Sequence, residues 1–174
     1  MGLFSRKTSY KNIIEDIAVK AFHTSLLDTP GLNEPPEEIG GYMLNALEGL
    51  AAVFFLVERS FMAIPDSRKR EKAKEYLAKI VFEDMRDEYS SSEMQGLVIP
   101  LLERRLNEYH GILDGPGEPS DKIFRLGSRM VDNFIEEDVP LENKAKAIKD
   151  LYGNLSVEPA KRLKALHDAN EIVW

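Results

Sequence analysis

The sequence predicts an all-α protein, a single-domain bundle of about seven helices around one long apolar central helix. Apolar residues recur at three- and four-residue spacing in segment after segment. No stretch shows a convincing period-two alternation, the mark of a half-buried strand. The segments are separated by breaks rich in Pro and Gly.

The first helix runs from Tyr10 to Leu27 and places Ile13, Ile14, Ile17, Ala21 and Phe22 on one face, until Pro30 and Gly31 stop it. After the turn Asn33-Glu34-Pro35-Pro36, Glu37 and Glu38 supply the acidic first turn that the helix dipole favours. The central helix, roughly Gly41 to Met62, follows. From Tyr42 to Val57 only Asn45 and Glu48 interrupt it strongly, the pattern of a helix packed on several sides. Its uncharged stretch, Gly49 to Val57, is far shorter than the ~20 residues that span a bilayer. Gly49, Ala51 and Ala52 leave room for a neighbouring helix to approach. Pro65 ends the segment, and Asp66 caps the next.

A third helix, Ser67 to Tyr89, turns Ala73, Leu77, Ile80, Val81 and Met85 inward. A fourth, Ser92 to Leu113, presents Met94, Leu97, Val98, Leu101, Leu102, Leu106, Tyr109 and Leu113. Pro100 lies inside it and predicts a kink or restart, with Gly96 four residues earlier softening the clash. The clearest break, Asp114-Gly115-Pro116-Gly117-Glu118-Pro119, divides the chain. It separates a four-helix core, residues 1–113, from a linker, 114–120, and a three-helix C-terminal extension, 121–174, packed on the core. In the extension, Ser120 caps a fifth helix with Ile123, Phe124, Met130, Val131, Phe134 and Ile135 as its apolar residues. A sixth runs from Pro140 to Tyr152 with Gly153 as its stop, and Ser156 opens a seventh that carries Leu163, Leu166 and Ile172 toward Trp174.

Composition narrows the function. With 174 residues, 43% hydrophobic and 30% charged, the chain can bury a core and does not resemble a disordered segment. The absence of cysteine excludes disulfides, a thiolate nucleophile and thiolate metal sites, and it fits a reducing compartment, so a cytoplasmic location is expected. The net charge of -7 opposes general attraction to nucleic acid, so no specific nucleic-acid partner is expected. Residues 1–74 carry ten basic and ten acidic side chains, leaving the negative charge to the later part. No apolar stretch of signal-peptide length follows Met1, so secretion is not indicated. Leu3, Phe4, Arg6 and Lys7 form a short apolar and basic start that reads first as a plain flexible terminus, with contact to a membrane surface as the alternative.

Two groups of residues stand out as candidates. The run Arg68-Lys69-Arg70-Glu71-Lys72-Ala73-Lys74 crowds five cations onto a helix start, where the dipole disfavours them. Arg68, Lys69, Arg70, Lys72 and Lys74 are therefore candidate contacts for a partner protein or, peripherally, an anionic membrane surface. The alternative is a solvated face or pairing within the molecule. The second group is the carboxylates Glu48, Glu83, Asp84 and Asp87. Glu48 sits in the most apolar helix, where a carboxylate must be paired, protonated or turned to a cleft; Arg104, Arg105 and Arg129 are the pairing candidates. Three residues before His23, His110 and His167 stand Lys20, Asn107 and Lys164, so the Glu-x-x-His pairs of a di-iron bundle are missing. Walker and Gly-x-Ser-x-Gly patterns are missing too. No catalytic residue, metal or cofactor is expected.

Several short patterns, taken in chain order, resemble the ubiquinol-cytochrome c chaperone family. They are Leu3-Phe4-x-Arg6-Lys7, Pro35 with Gly40-Gly41-Tyr42-x-Leu44, Phe82-x-Asp84-Met85, Tyr109-x-Gly111 and Leu151-Tyr152-Gly153. The chain departs from the family at Gly41, where an Arg is expected, and at Glu48, which stands in the place of a histidine. The family's Gly-Val-Gly-Asp stretch has only Gly96 to match it, and the fifth helix reads as an insertion. The resemblance implies a helical assembly chaperone for a respiratory cytochrome bc1 complex, working peripherally at the inner membrane. The leading expectation is thus a non-enzymatic protein-binding factor. The alternatives are a small enzyme or ligand-binding protein built on Glu48 and the 83–88 carboxylates, and a regulatory homodimer.

Overall fold

In the computed structural model, which describes residues 8–25, 39–134, 145, 149–150, 152–169 and 172–173, the most apolar run of the sequence forms α2 (Ile39–Ser60). The side chains of residues 22–25, 39–46, 84, 87, 88 and 134 lie outside that description. Before α2 comes α1 (Tyr10–Ser25), and after it a 3-10 turn (Phe61–Ala63) and α3 (Ser67–Glu88). A single turn, α4 (Ser91–Glu93), runs through a π-helical segment (Met94–Val98) into α5 (Ile99–Asp114). Then follow α6 (Pro119–Phe134), a second π segment (Gly153–Val157) and α7 (Glu158–Asp168).

The chain is all-α, and α2 is the hub. It packs against α1, α5, α6 and the second π segment, while α3 lies on α1 and α7 on the 3-10 turn. These neighbours explain why α2 is apolar nearly all round: Leu47, Ala51, Phe55, Leu56 and Val57 are each at most 1% exposed. Leu126 and Met130 of α6, Leu155 and Leu163 join the same hydrophobic cluster as side chains of α1, α2, α3 and α5. The core is therefore shared across the expected linker. That break is narrower than expected, because α5 extends to Asp114 and α6 starts at Pro119. Gly117 makes the turn with φ 124°, a left-handed conformation that favours glycine, and Arg125 fixes it by donating to the Pro116 carbonyl at 2.8 Å.

Caps set several helix starts. Asp66 accepts from the backbone N–H of Arg68 at 2.8 Å and of Lys69 at 3.1 Å, as expected. Ser90 and Glu93 form a reciprocal capping box, so the fourth expected helix begins at Ser91 and not at Ser92. Ser120 is not a cap, since Pro119 already opens α6.

Pro100 and Pro159, each at the second position of its helix, are preceded by the same device. In each π segment an N–H reaches back five residues, from Ile99 to the Met94 carbonyl and from Glu158 to the Gly153 carbonyl. Each segment ends just before the second position of the next helix, where Pro100 or Pro159 stands. Proline lacks an N–H and its ring collides with the carbonyl four residues earlier; the wider π turn relieves that collision without breaking the rod. The kink expected at Pro100 is thus a π segment. Gly153 is not a stop but the start of the second one, and Ser156 lies buried inside it instead of opening a helix.

Three further expectations are corrected. Phe124 is 42% exposed, because it falls at the margin of the α6 stripe that buries Leu126, Met130 and Val131. The final helix ends at Asp168, and Ile172–Val173 pairs in parallel with Thr8–Ser9 as strands β2 and β1. Two residues are too few to show a period-two pattern. Of the expected sixth helix, only Ala145, Lys149, Asp150 and Tyr152 fall within the described residues, and these are helical. Among the described residues no helix is long and apolar enough to cross a membrane.

Phe55 is fully buried and meets the rings of Tyr109 and His110 edge to face, with centroids 5.4 and 4.9 Å away. Phe55→Ala should cost about 3–5 kcal/mol in urea unfolding, since it removes both contacts and leaves a cavity at the hub.

Candidate functional site

Glu48 lies on the buried side of α2, and its side chain is only 8% exposed. α5 brings Arg105 against it. The Nε of Arg105 donates to one carboxylate oxygen at 2.6 Å and Nη2 donates to the other, a two-pronged pairing. Nη1 of the same guanidinium donates to Glu108 at 2.7 Å, and Glu108 in turn accepts from Arg129 of α6. Arg104, largely exposed, stands 3.9 Å from Glu48. Of the three arginines expected as partners, Arg105 pairs directly, Arg104 stands at the edge and Arg129 joins through Glu108. The hydrogen bond to Glu48 raises the Arg105 pKa despite burial, which favours the neutral form. Burial pushes Glu108 the other way, but the bonds from Arg129 and Arg105 prevail and lower it. Tyr109, next along α5, is pushed up to about 12 by burial, against the bond it accepts from Asn133 at 3.3 Å.

A second carboxylate on α2 was not among the candidates. Glu58 is 9% exposed and pairs with Lys74 of α3 at 2.9 Å, with the Nε2 of His110 3.9 Å away. The sequence signal was its position directly after the apolar run ending at Val57. Lys74 is thereby removed from the set of free surface cations: burial opposes its charge, but the bond to Glu58 raises its pKa overall. Lys69 is half-buried and lies over the Tyr10 ring at 5.8 Å. Arg68 and Lys72 are exposed and Arg70 half-buried, so the structurally engaged cations, Lys69 and Lys74, are interleaved with more exposed ones.

The candidate carboxylates do not converge. Glu83 is exposed and faces Lys79 on its own helix at 3.6 Å, while Glu48 is bound to α5. The side chains of Asp84 and Asp87 lie outside the described residues. Among the described residues no group of three or more His, Asp or Glu side chains could hold a metal ion.

One open cleft, of about 330 Å³, lies where the C-terminal end of α2 meets the second π segment and α7. Arg59, Lys161 and Lys164 supply its cations, Tyr152 and Ser156 its hydroxyls, and Ala63, Val157 and Ala160 much of its apolar surface. None of these was expected as a site residue. They come from α2, the 3-10 turn, the second π segment with its preceding Tyr152, and α7, and in the sequence Tyr152 and Ser156 read as helix ends. Of the residues that carry the family resemblance, Met85 and Tyr109 are core side chains and Tyr152 lines this cleft. Leu3, Phe4, Arg6, Lys7, Pro35 and Leu151 lie outside the described residues.

No family model, curated protein or solved structure matches the chain.

Two measurements probe the network. Arg105→Met leaves the buried Glu48 with only the largely exposed Arg104, 3.9 Å away, and should cost about 3–5 kcal/mol in chemical denaturation. Glu48→Leu combined with Arg105→Met should recover at least about 2 kcal/mol of that loss, because no bare charge remains.

Acid sensitivity follows from Glu108 and Asp16, the latter lowered first by its bond from Arg162. Both have folded pKa values below their unfolded ones, so the unfolded chain binds more protons in acid. Their stabilisation is complete above the ordinary carboxylate range and lost as pH falls through the lowered values. Thermal scans should show the midpoint falling steadily below about pH 5, and less steeply in Glu108→Gln.

Proposed function

We propose that the chain is a non-catalytic helical protein-binding factor. The observation that carries this reading is the sealing of Glu48. A carboxylate with both oxygens held by a buried guanidinium, and with its side chain all but closed off from solvent, cannot exchange a proton with a substrate. Its charge ties three helices together, which leaves the exterior of the bundle as the working surface.

The assembly-chaperone role for a cytochrome bc1 complex, implied by the motif resemblance, is the specific form we propose for this activity. In that form the protein works in the cytoplasm and peripherally at the inner membrane. Arg68 and Arg70 then contribute an edge for an anionic surface.

Affinity purification from the native host with identification of bound proteins tests the reading. Recovery of bc1 subunits is the expected result; a different stable partner would retain the binding role and remove the bc1 assignment. Consistent absence of any partner would remove the reading itself. Unchanged co-sedimentation with anionic vesicles after Arg68→Ala and Arg70→Ala would remove the membrane edge.

A further inference from the structure

We propose that the cleft between the end of α2 and the junction of the second π segment with α7 docks an acidic segment of a partner protein, one that carries a bulky apolar side chain beside its carboxylates. The inference rests on the protein-binding reading and specifies the chemistry of the partner.

Charge complementarity is the first argument. The molecule carries a net charge of -7, yet Arg59, Lys161 and Lys164 line this cleft and, among the described residues, no Asp or Glu does. An acidic segment meets repulsion over much of the surface and attraction here, which selects both the site and the approach. The fold does not neutralise these cations as it neutralises Arg105. Lys161 and Lys164 meet Glu158 and Asp168 in bridges along α7, with lysine side chains 68% and 70% exposed. Bridges of that kind contribute little, so both ammonium groups can turn to an incoming carboxylate. Arg59 forms no ion pair among the described residues.

The second argument is the apolar surface between the cations. Ala63, Val157 and Ala160 offer small side chains beside the Tyr152 ring. Val157 is 36% exposed. Side chains this small leave room for one inserted apolar side chain.

Ser156 adds a polar anchor. The residue is only 4% exposed overall and lines the cleft. A hydroxyl in the cleft wall can donate to a carboxylate oxygen or accept from a peptide N–H of the occupant. The occupant is a segment of a larger partner because the cleft is open: small ligands bury most of their surface, and here two lysines stand largely in solvent.

Selection of a random peptide library on the full chain tests the assignment. Enriched peptides should combine Asp or Glu with one large apolar residue. They should bind about tenfold more weakly to the doubly charge-reversed Arg59→Glu, Lys164→Glu chain. On the unaltered isotope-labelled chain, a selected peptide should shift the amide resonances of Ser156 and Ala160, a readout that does not depend on a variant folding. Absence of enriched peptides, peptides without acidic residues, undiminished binding to the reversed chain, or shifts confined to other surfaces would each overturn the proposal. So would saturable binding of octanoate at these amides with no peptide effect, which points to a small carboxylate. Self-association abolished by the same reversals would point to a second copy and overturn it as well. The two readings fail separately. A native partner captured equally by both chains removes the cleft and keeps the binding role, whereas an acidic peptide mapped to the cleft with no native partner does the reverse.

Discussion

Glu48 can be buried in α2 only with Arg105 beside it, and Arg105 reaches it only when α5 lies along α2 in one register. A helix as apolar as α2 would otherwise be nearly indifferent to rotation and sliding, because any face offers similar hydrocarbon to a neighbour. The ion pair removes that freedom. Glu108 then carries the constraint to Arg129 on α6, and Glu58 ties a different neighbour, α3, through Lys74. The two carboxylates of α2 thus orient its partners, while its apolar side chains supply most of the stabilisation.

How much of this was legible follows from which signals are local. The helices themselves could be read because their apolar residues repeat every three or four positions, and Asp66 could be read as a cap because capping is a contact between near neighbours. The need for Glu48 to be paired was legible; the choice of Arg105 over Arg104 was not. Adjacent residues on α5 point to different sides, and only packing decides which side meets α2. The π segments were half legible. Pro100 announced a disturbance, but Gly153 and Ser156 read as an end and a beginning when the backbone runs through both. The cleft was not legible at all, because Arg59, Ser156 and Lys164 come together only through tertiary packing.

Charge is used in two opposite ways. Inside, Glu48 and Arg105 are held so closely that neither is available to anything outside. At the cleft, Lys161 and Lys164 hold their acidic neighbours loosely, at the surface, where exchange with another carboxylate costs little. The same residue types therefore serve as fasteners in the interior and as contacts on the exterior, and burial makes the difference.

The parallel pairing of Thr8–Ser9 with Ile172–Val173 has a consequence for how the protein is made. On a ribosome the first strand emerges long before its partner is translated, and Asp16 likewise waits for Arg162. Throughout that interval the nascent chain exposes an unpaired backbone edge beside α1, the sort of template that invites contact with other chains. A region synthesised early is thus among the last to be closed, and α1 must rely on α2 and α3 for its shelter until translation reaches the second strand.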